Sequence, residues 1–374
     1  VQPLDPAGNY SDDEVIDALS AARGTRSMSF RYERLDELNN LVGPVDWVLS
    51  GSVANNSLAD IKRTAKLRVL DRGQINYLRD RIRPVARLTM PGPHDGRAPY
   101  VEWPLGVFLL STPERTVGTA GVVEREVAAY DQLVVLADDK VADRYSVAAG
   151  TLYTDAIATL TFGLARNLVP SDKALTSARE WEPGTPKLRI LNDLLAAINY
   201  ESAWFDELGR LVCRPYQSPT DRSSEYAYAT DDKSVIVGEA AQSLDLFSVP
   251  NRWVLVKSEA DEAPLTSAYT NDDPASPTST VSRGRVIVDF RDDEDAADQA
   301  TLDARAARYA FEASQVFESV DFETLVMPMH SNADVVTLTH PALSLDAKFS
   351  EQSWEYDLKA GATMSHKLRR VVSV

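Results

Sequence analysis

The chain has 374 residues, of which 44% are hydrophobic and 25% charged, an ordinary balance for a globular protein. That length points to two or three domains, because single cores rarely grow past roughly 250–300 residues. A net charge of −17 argues against general binding to the outside of duplex nucleic acid, the single cysteine (Cys213) excludes an internal disulfide framework and fits a reducing cytosol, and no apolar run reaches membrane-span length.

Residues 1–24 read as an N-terminal arm. It is acidic, without the basic and apolar regions of a secretory signal, and its one helix should start at Asp12 under a Ser11 cap. Residues 25–140 read as an all-β unit. Ser27–Leu35 alternates, and Trp47 opens a second strand after the breaker Gly43-Pro44. Ile61–Leu70 alternates most clearly, with Ile61, Ala65, Leu67 and Val69 on one face and Lys62, Lys66 and Arg68 on the other. Arg79, Arg81, Arg83 and Arg87 repeat the cationic face on the next strand, where Pro84 predicts an edge or a bulge. Segments from Trp103, from Gly121 and from Asp131 (Asp131-Gln-Leu-Val-Val-Leu) complete the strands.

Residues 141–222 read as a small insert of helices and a hairpin. One helix should place Leu152, Ala156, Leu160 and Gly163 near one face, and a second starts after Pro186 with Leu188, Leu191, Leu195 and Ile198. The hairpin turns at Asp206 to Gly209. Residues 223–374 return to β character. Pro250-Asn-Arg-Trp-Val-Leu-Val is expected to pair with the strand from Gly284 across an acidic loop at 258–283, as the two arms of an extended hairpin. A long helix follows, with Leu302, Ala306, Tyr309, Ala313, Val316 and Val320 stacked on one side, and then a meander of strands to the C-terminus.

Charge is segregated along the chain. Residues 231–300 hold 15 acidic and 6 basic side chains, whereas 61–90 hold 9 basic side chains against Asp71 and Asp80. These are either two solvated faces or complementary contact surfaces. On the second reading Lys62, Lys66, Arg68, Arg79, Arg81 and Arg83 are interface candidates. Leu302, Tyr309 and Val316 join them if their heptad-like spacing marks a subunit contact instead of a core face.

The order of elements resembles the tail-hub, or baseplate-hub, proteins of bacteriophages. The likeness rests on Pro250-Asn-Arg-Trp-Val-Leu-Val, on Asp303-Ala-Arg-Ala-Ala-Arg-Tyr-Ala-Phe-Glu, on Met327-Pro-Met-His-Ser-Asn-Ala-Asp-Val-Val-Thr-Leu and on the ending from Lys359. In the insert, Lys187-Leu-Arg-Ile-Leu-Asn-Asp-Leu-Leu and Trp204-Phe-Asp-Glu-Leu-Gly-Arg-Leu are similar to the family's middle domain. One departure is Ala333, which stands where the family has glycine before Asp-Val-Val, at an expected tight turn. The resemblance implies a β-rich α+β fold, with two barrel-like antiparallel β-domains flanking the insert and the long C-terminal helix packed on the second barrel. It further implies a homotrimeric ring at the distal end of a tail tube, in contact with the tube protein, the tape-measure protein and tail-tip or receptor-binding proteins. DNA would meet it only in transit, past an acidic wall.

No enzyme motif, cofactor or metal ligand set is read from the sequence. His94, His330, His340 and His366 fall in no zinc-type spacing and are expected to be solvent-facing or structurally satisfied. Cys213 reads as a small buried hydrophobe. The best carboxylate cluster for a rival reading, a carbohydrate-binding or glycoside-cleaving β-protein of a tail, is Glu201, Asp206 and Glu207 beside Trp204. Trp47, Trp103, Trp253 and Trp354 sit in strand patterns and are expected in the cores. A phage-derived contractile injection system is the alternative setting for a hub.

Overall fold

A computed structural model describes residues 1–22, 25–112, 116–117, 123–244, 246–257, 264–292 and 299–373. The chain forms two compact units, residues 1–240 with 322–368, and residues 241–321 with 369–374.

In the first unit, helix α1 (Asp12–Leu19) starts in a reciprocal cap, where the Ser11 hydroxyl accepts from the Glu14 amide and the Glu14 carboxylate accepts from the Ser11 amide. Nine strands follow, β1 (Ser27–Leu35), β2 (Leu41–Val45), β3 (Val48–Asn56), β4 (Arg63–Leu70), β5 (Arg81–Thr89), β6 (Tyr100–Pro104), β7 (Phe108–Leu110), β8 (Thr116–Val117) and β9 (Val123–Tyr130). The insert holds α2 (Leu133–Asp138), β10 (Tyr145–Val147), α3 (Tyr153–Leu160), β11 (Arg166–Leu168), β12 (Arg179–Trp181), α4 (Lys187–Ala197), β13 (Trp204–Phe205) and β14 (Leu211–Cys213). Then come β15 (Tyr226–Ala229), β16 (Ile236–Leu244), β17 (Arg252–Lys257), β18 (Leu265–Thr270), α5 (Thr280–Arg283), β19 (Val288–Arg291), α6 (Gln299–Ser314), β20 (Gln315–Leu325), β21 (Val335–His340), β22 (Leu345–Asp357) and β23 (Thr363–Ser373).

The alternation in β4 is realised, with Ala65, Leu67 and Val69 buried and Lys66 and Arg68 exposed. Two separate barrels do not form among the described residues. Instead β22 pairs antiparallel with β3, so strands from both ends of the chain share one sheet, in the order β20-β23-β22-β3-β4-β9-β7-β5-β1-β2. β15 joins through a parallel pairing with β21, and β21 pairs antiparallel with β22.

Several expectations are corrected by local chemistry. Gly43-Pro44 does not break the chain but lies within β2, an edge strand where a missing N–H costs no ladder bond. Pro84 lies on neither an edge nor a bulge. It sits inside β5 where that strand's neighbour changes from β7 to β6, opposite Tyr32 of β1. The strand expected from Trp103 is cut in two at Gly106, whose φ of +127° also lets the Arg63 stem pass; a Cβ there would meet Arg63 Cδ at 2.8 Å. The segment from Asp131 is helical because the Asp131 carboxylate accepts the Leu133 amide and opens α2. Helix α3 ends before Gly163, which takes a φ of +86° beyond it.

The insert has its own core, where Ile157, Leu191, Leu195, Phe205 and Cys213 pack together. Burial pushes the Cys213 thiol up to about 12, in keeping with an inert apolar role. Its hairpin forms as expected, with Phe205 opposite Leu211, and β14 also pairs in parallel with β11.

In the second unit, β17 pairs antiparallel with β18 and in parallel with β19. The expected pairing of the Trp253 strand with the strand after Gly284 is present but parallel, so a three-stranded sheet stands in place of the hairpin, with a strand and a helical turn inside the acidic loop. Helix α6 packs on β17 and β18. Leu302 and Ala306 close a small core with Leu255, and Tyr309 packs against it. The helix stops at Ser314, which puts Val316 and Val320 on β20.

Candidate functional site

Alternation predicts an outward cationic face on β4 and β5, and most of that charge is matched within the sheet. Arg31 and Arg87 both bond the Glu102 carboxylate, Arg31 and Arg83 both bond Glu33, and the four contacts form a zipper across β1, β5 and β6. Burial would raise the Glu33 carboxyl, but Arg31 and Arg83 hold it below its usual range; the hydrogen bond from Arg31, helped by Arg87, lowers Glu102. Arg79 pairs with Glu37, Arg68 with Glu124, and Arg81 donates to Asn39 and Gln132 at 2.6 Å. Lys62 departs from the surface expectation. It is buried, and its ammonium donates to the Ser57 and Ala59 carbonyls at 2.8 and 3.3 Å. Lys66 and Arg68 line an open groove of about 700 Å³ floored by Ser50, Gly51, Ser52 and Ala128, small residues that keep it from filling.

A second, buried network is not marked by the spacing of its residues in the sequence. Arg63, 2% exposed, donates to Glu207 at 2.7 Å, and the Ser331 hydroxyl donates to the same carboxylate oxygen at 2.6 Å. Trp354 Nε1 donates to the Ser331 carbonyl at 2.8 Å. The Ser331 amide and His330 Nδ1 both donate to Asp334 Oδ2, at 2.8 and 3.0 Å. Glu351 then stands between two histidines, with Oε2 2.8 Å from His330 Nδ1 and Oε1 2.5 Å from His366 Nδ1. The outer ring nitrogens are held as well, His330 Nε2 by the Tyr228 hydroxyl at 2.6 Å and His366 Nε2 by Thr324 Oγ1 at 2.9 Å. The α-amino group of Val1 donates to Asp334 and Glu225.

This chain of contacts runs from β4 through the insert's hairpin turn to the β20–β21 turn, β22 and β23. It ties three sequence segments into one unit. Burial opposes charge on His330, yet the Glu351 and Asp334 carboxylates outweigh it and raise the imidazole to about 9. Burial lowers His366, the other way. Ala333 completes the turn with a φ of 54°, so the tight turn forms with alanine in the left-handed region.

The other candidates are occupied structurally. Glu201 pairs with Arg214 at 2.9 Å, Asp206 accepts from Leu208 and Arg210 within its turn, and Glu207 serves Arg63. Trp47, Trp103, Trp253 and Trp354 are buried, as expected. His94 Nδ1 meets the Tyr10 hydroxyl at 3.2 Å.

No family model matches the sequence, and no curated protein does. Solved structures do. A tail protein from Neisseria meningitidis MC58 matches with a TM-score of 0.57 at 13% identity, over 91% of this chain and 97% of that one. The 43 kDa tail protein of prophage MuSo2 from Shewanella oneidensis matches with 0.56 at 10% identity, over 90% and 98%. A Francisella PdpA–VgrG complex matches with 0.53 at 8% identity, over 94% of this chain and 55% of that one. The likeness is one of fold, and it is the fold of phage-type tail proteins.

Proposed function

We propose that the chain is a structural virion component, the hub at the distal end of a phage tail tube, where three copies form a ring that joins the tube to the tail tip. The observation that carries this reading is two-way coverage. The fold spans 90–91% of this chain and 97–98% of the two tail proteins, so the likeness extends over whole chains and not a shared motif. The exposed groove with Lys66 and Arg68 supplies a surface for a neighbouring copy, and the acidic balance suits a bore that lets DNA and the tape-measure protein pass without sticking. A non-catalytic role is supported by the carboxylates of the Trp204 cluster, each of which is already engaged by an arginine or a backbone amide.

Light scattering on the purified chain, alone and mixed with its tube protein, tests the reading. A trimer mass, or a trimer formed on the tube, is expected; a stable monomer in both samples overturns it. One low-resolution image of the particle separates a phage tail from a phage-derived injection system.

A further inference from the structure

We propose that His330, Glu351 and His366 form a binding site for one divalent transition-metal ion of the zinc class, stapling the β20–β21 turn to β22 and β23. The proposal does not depend on the tail reading.

The three side chains are 0–1% exposed, and their ligand atoms lie within 4.8 Å of one another. They come from three separate elements, so one ion would cross-link residues far apart in sequence. Two Nδ1 atoms converge on the two oxygens of a single carboxylate. Two nitrogens and a carboxylate form a donor set that suits zinc and its neighbours, whereas calcium and magnesium take all-oxygen sites.

The outer contact of His366 orients its ring for this task. Thr324 Oγ1 donates its only hydrogen to the Leu325 carbonyl at 2.7 Å, so toward His366 Nε2 it accepts. Nε2 of His366 therefore carries the hydrogen in the neutral ring, and Nδ1 turns its lone pair toward Glu351 Oε1 at 2.5 Å. Two lone pairs that close repel unless a positive species lies between them. A metal ion meets that need, with Tyr228 and Thr324 acting as the outer partners that fix ring orientation around metal ligands.

Glu351 Oε2 makes the second point. It lies 2.8 Å from His330 Nδ1 yet accepts no hydrogen bond, because the Nδ1–H is directed to Asp334; an ion held by His330 would displace that hydrogen and coordinate Oε2 in its place. An unsatisfied buried carboxylate oxygen is costly, and coordination would satisfy it. The remaining position would fall to Asp334 or to water. The present N···O separations of 2.5 and 2.8 Å are shorter than the about 3.3 Å edge of a tetrahedral zinc site, so the side chains must open by about 0.5–0.8 Å.

The experiment is elemental analysis of the full chain, expressed with zinc in the medium and again refolded with equimolar zinc or cobalt. The expected result is close to one metal per chain, a four-coordinate cobalt spectrum in the visible, and a lower thermal midpoint once a strong chelator has removed the ion. His366→Gln and Glu351→Gln should each lower retained metal at least tenfold. Wild-type protein supplies the decisive arm even if the variants do not fold. Folded wild-type chain that carries less than a tenth of an equivalent after both treatments, with no cobalt spectrum, overturns the proposal and leaves a proton in place of the metal.

Discussion

The arginine zipper on β1, β5 and β6 and the buried network around Glu207 and Glu351 use the same residue types for opposite ends. In the zipper, Arg31, Arg87 and Glu102 have side chains 26–35% exposed, so water screens both Glu102 pairs. In the network, Arg63 is 2% and Glu351 1% exposed, and each charge depends on its partner. The first arrangement leaves a face of the sheet soluble and low in net charge. The second fixes which segments meet. Partner loss should therefore be cheap in one region and severe in the other.

The largest effect is expected for Glu207→Ala. Arg63 already has Nε and Nη1 without hydrogen-bond partners, and the variant would leave the whole guanidinium unpaired in the interior. A loss on the order of 3–5 kcal/mol is expected by denaturant unfolding. A loss under about 1 kcal/mol would break the comparison, because it would mean that water reaches Arg63.

Asp131 sharpens it through pH. Burial raises this carboxyl to about 6, against the amides of Arg63 and Leu133, which favour its charged form. A folded-state value above the unfolded one means that the native state holds a proton the unfolded chain has lost. Stability from this group is thus greatest at low pH, falls as pH rises from about 4 to about 6, and is flat above; the span is on the order of 2–3 kcal/mol. Subtracting the pH profile of Asp131→Asn from that of the wild type should show that slope and no other. A difference profile flat across the window would place Asp131 in contact with water.

Ala333→Gly comes next. The left-handed backbone at φ 54° costs alanine about 1 kcal/mol that glycine does not incur, partly offset by the greater freedom of glycine when unfolded. A net gain of about 0.5 kcal/mol, read as a higher thermal midpoint, is expected. In the zipper, Glu102→Ala should cost at most about 1 kcal/mol, and less at high salt.

The sequence carried the strands well where one face is wet. Alternation placed β1 and β4, and the hairpin at Asp206–Gly209 followed from its turn residues. The pairing of β17 with β19 was readable though not its parallel sense, whereas β22 on β3 and the parallel pair β15–β21 were not, because they are set by long-range burial and leave no local pattern. The end of α6 was missed for a related reason, since Val316 and Val320 continue a helical spacing into a strand. The histidine cluster escaped because its members are ordered by fold and not by spacing. A signal did exist. Glu351 shares a phase of β22 with Phe349, and His366 shares one of β23 with Met364 and Leu368, so each is a polar residue on an apolar face.

The smallest effect on folding, and the most telling for function, belongs to Lys66→Glu with Arg68→Glu. Lys66 is exposed, and among the described residues Arg68 pairs with Glu124, itself on the surface, so the double variant should unfold within about 0.5 kcal/mol of the wild type. If the groove they line meets another copy or the tube protein, reversing two charges there should reduce association at least tenfold and make what remains strongly salt-dependent. Light scattering and unfolding on the same preparation separate the two quantities. Unchanged stability with lost assembly would assign the groove to an interface. Unchanged stability with unchanged assembly would assign it to solvent, and with it the outward face of β4, leaving the buried network as the part of this unit whose charges have a partner to lose.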